Sequence, residues 1–322
     1  MRKYTQLTQG QRYQIYAFLK AGFYQTEIAF EIGVHKSTIS REIKRNRGKK
    51  GYRPKQAHLM ANERHQRARK HIKMTPEVIN LVEGLLCQDF SPDQISGFLA
   101  RKHNIHISHE RIYQHILTDK NNGGSLFRHL RQRHRKRKKR YGSYSRRGQI
   151  KDRISIDERP SIVDSKKRIG DWEIDTIVGK NHKGALLSIV ERKSKFTLMG
   201  KLTKRTAEMA ANAAIDLMKP FKNKVLTITA DNGKEFSDHK RIKEYLESDV
   251  YFAHPYHSWE RGLCENTNGL IRQYFPKELN FKKIKQEQVQ MAMDRLNNRP
   301  RKLLGYKTPN EVFFYAIAKQ AA

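Results

Sequence analysis

The chain is poor in cysteine, in acidic charge and in long apolar runs, and each shortage excludes a class of protein. Its 322 residues include only Cys87 and Cys264, which lack the CxxC spacing of a zinc or redox site and are too few for a disulfide framework. No stretch of about 18 apolar residues occurs, and the opening MRKYTQLTQG has no apolar signal-peptide core. These absences predict a soluble, unexported protein of a reducing cytoplasm, with no membrane partner. Acidic residues number 32 against 66 Lys and Arg, a net charge of +34, far beyond what solubility requires. Such an excess points to a polyanionic partner, and nucleic acid fits best. The hydrophobic fraction of 37% is low for one globule, so part of the chain is expected to be solvated linker beside roughly two domains.

Residues 1–50 read as a helix-turn-helix DNA-binding domain. Thr8 can cap a helix that carries Ile15, Tyr16 and Leu19 on one face and ends at Gly22. A short second helix, 26–32, turns at Gly33. A third, from about Lys36 to Arg45, faces Ile39 and Ile43 inward. Ser37, Thr38, Ser40, Arg41, Lys44 and Arg45 are left for its outer face and entry, as on a recognition helix in a major groove. A three-helix bundle with a merely solvated face is the competing reading.

Residues 51–74 are expected to be basic linker. Residues 75–118 look like a second helical, helix-turn-helix-like unit: Thr75 and Ser91 are N-cap candidates, each followed by proline, and Ser108 precedes a short helix. His103, His106, His109 and His115 read as ordinary surface and groove residues because no paired spacing places them on one helix face. Residues 119–155 form a second basic linker, in which eight of the ten residues from Arg131 to Arg140 are Lys or Arg. Like-charge repulsion on that scale opposes packing unless phosphates neutralise it.

Residues 156–322 alternate strands and helices. GDWEIDTIVG, ALLSIVER and KFTLMGKL read as successive strands; an alanine-rich helix, the buried strand VLTITA, a helix, a short strand and a long helix follow. This is the element order of an α/β ribonuclease-H-like catalytic domain, so the fold class expected is multidomain: an all-α helix-turn-helix region followed by an α/β core.

Three carboxylates stand out in that core. Alternation along the first strand puts Asp171, Glu173 and Asp175 on one face, and alternation alone does not choose among them. Asp231 ends an apolar strand at a turn, where it can reach a cleft. Glu265, separated from Asp231 by 33 residues, stands among Asn266, Thr267 and Asn268, which are poor helix formers better explained by a polar cleft. Arg272 lies seven positions further on, two helical turns along the same face. Phosphodiester transfer suits such a set: oxygen ligands hold two hard Mg²⁺ or Mn²⁺ ions, which stabilise the attacking and leaving oxygens and relieve repulsion among the acids.

GDWEIDTIVG, TADNGKEF, HPYHSWERGLCENTNGLIRQYFP and NNRPRKLLGYKTPNEVF, together with STISREIKRN near the N-terminus, resemble the transposases of the insertion-sequence-30 family, bacterial members of the retroviral-integrase superfamily. The resemblance spans nearly the whole chain. It implies that Asp175, Asp231 and Glu265 are the catalytic, metal-binding acids and that Arg272 is the basic residue following the glutamate, expected to bind DNA, with Asn266 and Asn268 in the local signature. It also implies a nucleoid-associated enzyme that binds the terminal inverted repeats of its element, cuts and transfers DNA strands with Mg²⁺, and works as a homodimer or larger assembly. A transposition regulator with a non-catalytic ribonuclease-H-like domain is the alternative.

Overall fold

A computed structural model of the chain describes residues 6–68, 73–131, 150, 152–255 and 257–321. Two compact units divide it, Met1–Ile72 and Lys73–Ala322. Most of the expected linker 119–155, including all but the first residue of its densest basic run, lies outside the described residues.

In the first unit, α1 (Gln9–Lys20) starts with a capping box at Thr8, whose hydroxyl accepts from the Gln11 amide. α2 (Gln25–Ile32) stops at Gly33, whose φ of +74° is the left-handed conformation a side chain would resist. α3 (Lys36–Asn46) buries Ile39 against Ile15, Ile28 and Ala29, so the predicted helical trio forms with its expected core. A two-residue ladder of β1 (Arg47–Gly48) and β2 (Gly51–Tyr52) leads into α4 (Pro54–Arg67). This helix corrects the expectation of linker over 51–74. Pro54 at its first turn and a buried Ala57 suffice to dock it on α1, while its basic side chains face outward and imitate a linker in composition.

The interior of this unit also holds a charge pair. Arg12 of α1 donates through Nε to Glu42 of α3 at 2.7 Å, with both side chains under 10% exposed, and the Tyr52 hydroxyl donates to the same carboxylate.

The second unit is built on a sheet ordered β3-β8-β7-β4-β5-β6. β4 (Asp171–Val178), β5 (Ala185–Glu191) and β6 (Thr197–Leu202) form the expected antiparallel meander. β7 (Thr227–Ala230) lies parallel to β4, β8 (Asp249–Phe252) parallel to β7, and β3 (Ile154–Ser155) adds a parallel edge strand that periodicity did not reveal. This meander with parallel additions is the ribonuclease-H-like topology. Helices cover both faces, which is why β5 is buried along its whole length and reads as a nearly unbroken apolar run.

On one face, α9 (Ala207–Met218) brings Ala210, Ala211 and Ala214 close onto Trp172 and Ile174, joined by α10 (His239–Leu246) and α13 (Pro309–Ala321). Phe313 of α13 stacks on Phe196 with centroids 4.3 Å apart. On the other face, α11 (Gly262–Tyr274) and α12 (Gln286–Asn297) pack Leu270, Ile271, Val289 and Leu296 against Ile177, Leu186 and Met199. A short α8 (Ile162–Ser165) precedes β4.

The helices α5 (Pro76–Cys87), α6 (Pro92–His103) and α7 (His109–Asn121) have a core of their own, centred on Val82, Leu86, Ile95, Leu99 and Ile112. They belong to the same compact unit as the sheet. Tyr306 lies so close to α6 that a Cβ on Gly97 would meet its ring at 2.2 Å. Gln94 donates to the Pro300 carbonyl, Arg295 pairs with Asp89, and Arg101 pairs with Glu311 at 2.8 Å. Burial works against the charge on Glu311, yet the Thr308 amide, Arg101 and Lys102 hold its carboxyl at about 2.

Two predictions follow from these ion pairs. Glu42→Ala should destabilise the N-terminal unit by about 3 kcal/mol, because Arg12 is left buried without its partner, whereas Arg12→Met with Glu42→Leu should restore most of the loss; urea unfolding of the three chains checks this. The depressed Glu311 carboxyl stabilises the folded state above the ordinary glutamate range and loses that effect as pH falls toward 2. The stability gap between wild type and Glu311→Gln should therefore be widest above about pH 5 and narrow by about pH 3, read from melting curves across that range.

Candidate active site

Strand register brings the first two acids together. β4 and β7 pair in parallel with Asp171 beside Thr227 and Glu173 beside Thr229; Asp175 and Asp231 each lie two residues past the last of these pairs, and both stand 3.6 Å from one guanidinium. Adjacent strands are about 4.8 Å apart, so the two carboxylates share one patch at the sheet's carboxyl edge. Asp231 lies one residue past the end of β7, where its Oδ1 accepts from the Gly233 amide at 3.0 Å and fixes the turn. Glu235, just beyond, accepts from the Thr176 hydroxyl at 2.7 Å and from Arg205, tying the Asp231 turn to the residue after Asp175.

The three acids of β4, inseparable by alternation, have distinct surroundings. Asp171 is fully buried, takes a bidentate contact from Arg168 and accepts from the Thr227 hydroxyl. Glu173 is also buried; it pairs with Arg192 at 3.0 Å and accepts from the Cys264 amide in the first turn of α11, pinning that helix over the strand. Only Asp175 opens toward Asp231. Its Oδ1 accepts from the Thr176 amide and its Oδ2 from Asn268 of α11, both at 2.8 Å. The Asn268 oxygen in turn accepts from Ser188, the residue paired with Asp175 across β5. Burial and then Asp231 raise the Asp175 carboxyl above the ordinary aspartate range, against the opposing pull of Arg261, the Thr176 amide and Asn268.

Arg261, which sequence reasoning did not single out, stands between the two acids. Its guanidinium lies 3.6 Å from Asp175 and 3.6 Å from Asp231, with the side chain 12% exposed. Burial disfavours its charge, but the two carboxylates together hold its pKa above the usual arginine value. The clue available in the sequence was helical spacing: Arg261 precedes Glu265 by four residues and Asn268 by seven.

Glu265 is exposed on α11, on the helix face that carries Asn268. Among the described residues no three His, Cys, Asp or Glu side chains cluster closely enough to hold an ion. The structure thus gathers Asp175 and Asp231 but does not group Glu265 tightly with them. The gathered donors are hard oxygens, suited to a Mg²⁺- or Mn²⁺-class ion, and their shared attraction to one cation shows that the patch accepts positive charge. Cys264 is buried and burial pushes its thiol up, so it is a packing residue.

Arg272 donates to the Val178 carbonyl at 2.9 Å and lies over the Phe281 ring, so the guanidinium anchors α11 to the end of β4. His254 bridges Glu260 at 2.8 Å and Asp157 at 2.9 Å, and these carboxylates raise its pKa; it fastens the turn before α11. A cavity of about 730 Å³ opens beside the first turn of α11, lined in part by Glu173, Arg192, Trp259 and Asn266, but neither Asp175 nor Asp231 lines it. In the first unit, Ser40, Arg41, Lys44 and Arg45 are exposed on α3, while Ser37 and Thr38 are half-buried at its start, where Ser37 contacts the capping His35.

The chain is similar in sequence to known proteins over most of its length. A family model described as a helix-turn-helix domain matches residues 3–46. The transposase for insertion sequence element IS4351 of Bacteroides fragilis is 46% identical over 309 residues, 95% of each chain. The transposase for IS1086 of Cupriavidus metallidurans is 34% identical over 98% of this chain and 96% of its own, and transposase InsI for IS30A of Escherichia coli is 32% identical over 97% and 84%. The crystallised catalytic core domain of BIV integrase aligns at 20% identity over 48% of this chain and 100% of that one, with a TM-score of 0.38. Identity sustained along almost the entire length of these transposases shows that the chain belongs to the insertion-sequence-30 family of transposases.

Proposed function

We propose that this transposase binds the terminal inverted repeats of its element through α3 and that Asp175, Asp231 and Glu265 form the centre that cuts DNA ends and joins them to target DNA. The observation that carries the assignment is that Asp175 of β4 and Asp231, just past the end of the parallel neighbour β7, both stand 3.6 Å from one cation. Those two acids, with Glu265 of α11, would hold divalent ions, Mg²⁺ or Mn²⁺. Such ions, when bound, stabilise the attacking and leaving oxygens of an in-line displacement.

The chain's own residues set the geometry. Ser188 orients Asn268, Asn268 holds Asp175, and Glu173 with Arg272 seats the helix that carries Glu265. Because both ends of an element must meet, the working form is a homodimer or larger assembly on double-stranded DNA. Ser40, Arg41, Lys44 and Arg45 supply the exposed groups for groove and phosphate contact, Ser37 and Thr38 lie at the helix entry, and the excess of basic charge draws DNA to the whole chain.

Labelled linear DNA carrying the element's ends, incubated with Mg²⁺, tests the assignment. Asp175→Asn, Asp231→Asn and Glu265→Gln should each lower cleavage and strand transfer by at least about 100-fold while retaining end binding, the scale on which loss of an electrostatic group acts on a transition state. A wild type that binds the ends and never cuts them, beside an active control enzyme, would favour a regulator instead. End binding should also weaken steeply with salt, and Arg41→Gln should reduce the slope of log K against log salt by about 1 if the residue contacts a phosphate. An unchanged slope would remove Arg41 from the phosphate contacts.

A further inference from the structure

We propose that Arg261 is a built-in counter-cation that closes the Asp175–Asp231 pair to divalent ions until DNA draws it away, so that metal loading is coupled to DNA binding. The inference rests on the assignment of those acids as the metal-binding pair and concerns a residue outside the three.

The argument begins with electrostatics. Two neighbouring carboxylates, each with a side chain less than a quarter exposed, repel one another unless a positive charge lies between them. Arg261 supplies that charge from the residue just before α11, with nitrogens 3.6 Å from both acids. Those separations are ion-pair contacts longer than close hydrogen bonds, and among the described residues its backbone acceptor is the Ile174 carbonyl at 3.4 Å. Among the described residues, the buried Nε of Arg261 has no hydrogen-bond partner. The guanidinium is thus held mainly by charge, with donor capacity to spare, and an anion offering better geometry can compete for it.

A divalent ion and a guanidinium cannot both occupy the space between one pair of carboxylates. A DNA phosphate is the anion that the proposed reaction delivers to this patch, and arginine forms its strongest contacts with such planar or tetrahedral oxyanions. When Arg261 turns to the phosphate, the acids lose their neutralising charge and their affinity for an ion rises. By linkage, the ion must strengthen DNA binding by the same factor that DNA strengthens ion binding.

The test uses the full chain, with Mn²⁺ titrations followed by electron paramagnetic resonance of the free ion, with and without duplex DNA carrying an element end. Wild type should bind Mn²⁺ weakly alone and about tenfold more tightly with DNA. Arg261→Gln should bind Mn²⁺ about tenfold more tightly than wild type without DNA, and DNA should add little. Arg261→Lys, which keeps the charge without the fork, should fall between them, and it replaces the glutamine variant in the comparison if that chain does not fold. A merely structural arginine predicts the opposite sign, since its loss would loosen the acids and weaken the ion. Equal or weaker Mn²⁺ binding by the variants overturns the proposal; if wild type still cuts DNA, the transposase assignment stands without it. A wild type that neither cuts nor binds Mn²⁺ with DNA, together with variants that bind none, would overturn both.

Discussion

The parallel pairing of β4 with β7 is the constraint on which the rest of the site depends. It sets Asp175 near Asp231 although 55 residues intervene, and a slip of one residue would turn one carboxylate onto the opposite face. The pairing is secured by burial. Trp172 and Ile174 on one side and Ile177 on the other belong to separate cores, so neither face of β4 can be exchanged for the other. The α9 alanines let that helix approach the sheet closely, and the α11–α12 layer closes the opposite face.

Negative charge on the polar face of β4 is distributed in a graded way. Asp171 and Glu173 are buried and matched to Arg168 and Arg192, which makes them parts of the scaffold. Asp175, at the edge, has its strongest hydrogen bonds to a backbone amide and to the neutral Asn268, while its charge is balanced by an arginine shared with Asp231. A buried carboxylate with a dedicated cation is costly to disturb, whereas one sharing a cation at 3.6 Å can exchange it. The difference separates the two acids with dedicated arginines from the one that shares its arginine with Asp231 on a single strand face.

The basic excess is organised differently in the two units. In the first, α3 turns Arg41, Lys44 and Arg45 outward over a core stabilised by the Arg12–Glu42 pair. In the second, several of the described arginines serve as internal fasteners: Arg192 to Glu173, Arg272 to the Val178 carbonyl, Arg295 and Arg299 to Asp89, and Arg101 to Glu311. Net charge alone therefore overstates how many basic groups remain for a polyanion.

The helix-turn-helix, the meander and its parallel additions were legible because each depends on local signals: caps at Thr8, Thr75 and Ser91, glycine at position 33, and alternation or apolar runs in the strands. Helix α4 and strand β3 were not, since one buries little more than Pro54 and Ala57 and the other is a two-residue edge held by β8. By itself the sequence determined the element order, the strand face that carries Asp171, Glu173 and Asp175, the positions of Asp231 at a strand end and Glu265 among polar helix residues, and the sign of the partner's charge, all properties carried by residue type and short-range periodicity; the choice of Asp175 came from the family resemblance. Only the tertiary structure decided which acid of β4 faces Asp231, that Arg261 lies between the pair, and that Arg272 anchors a helix. Those outcomes depend on strand register and on contacts between residues dozens of positions apart, which no local pattern encodes.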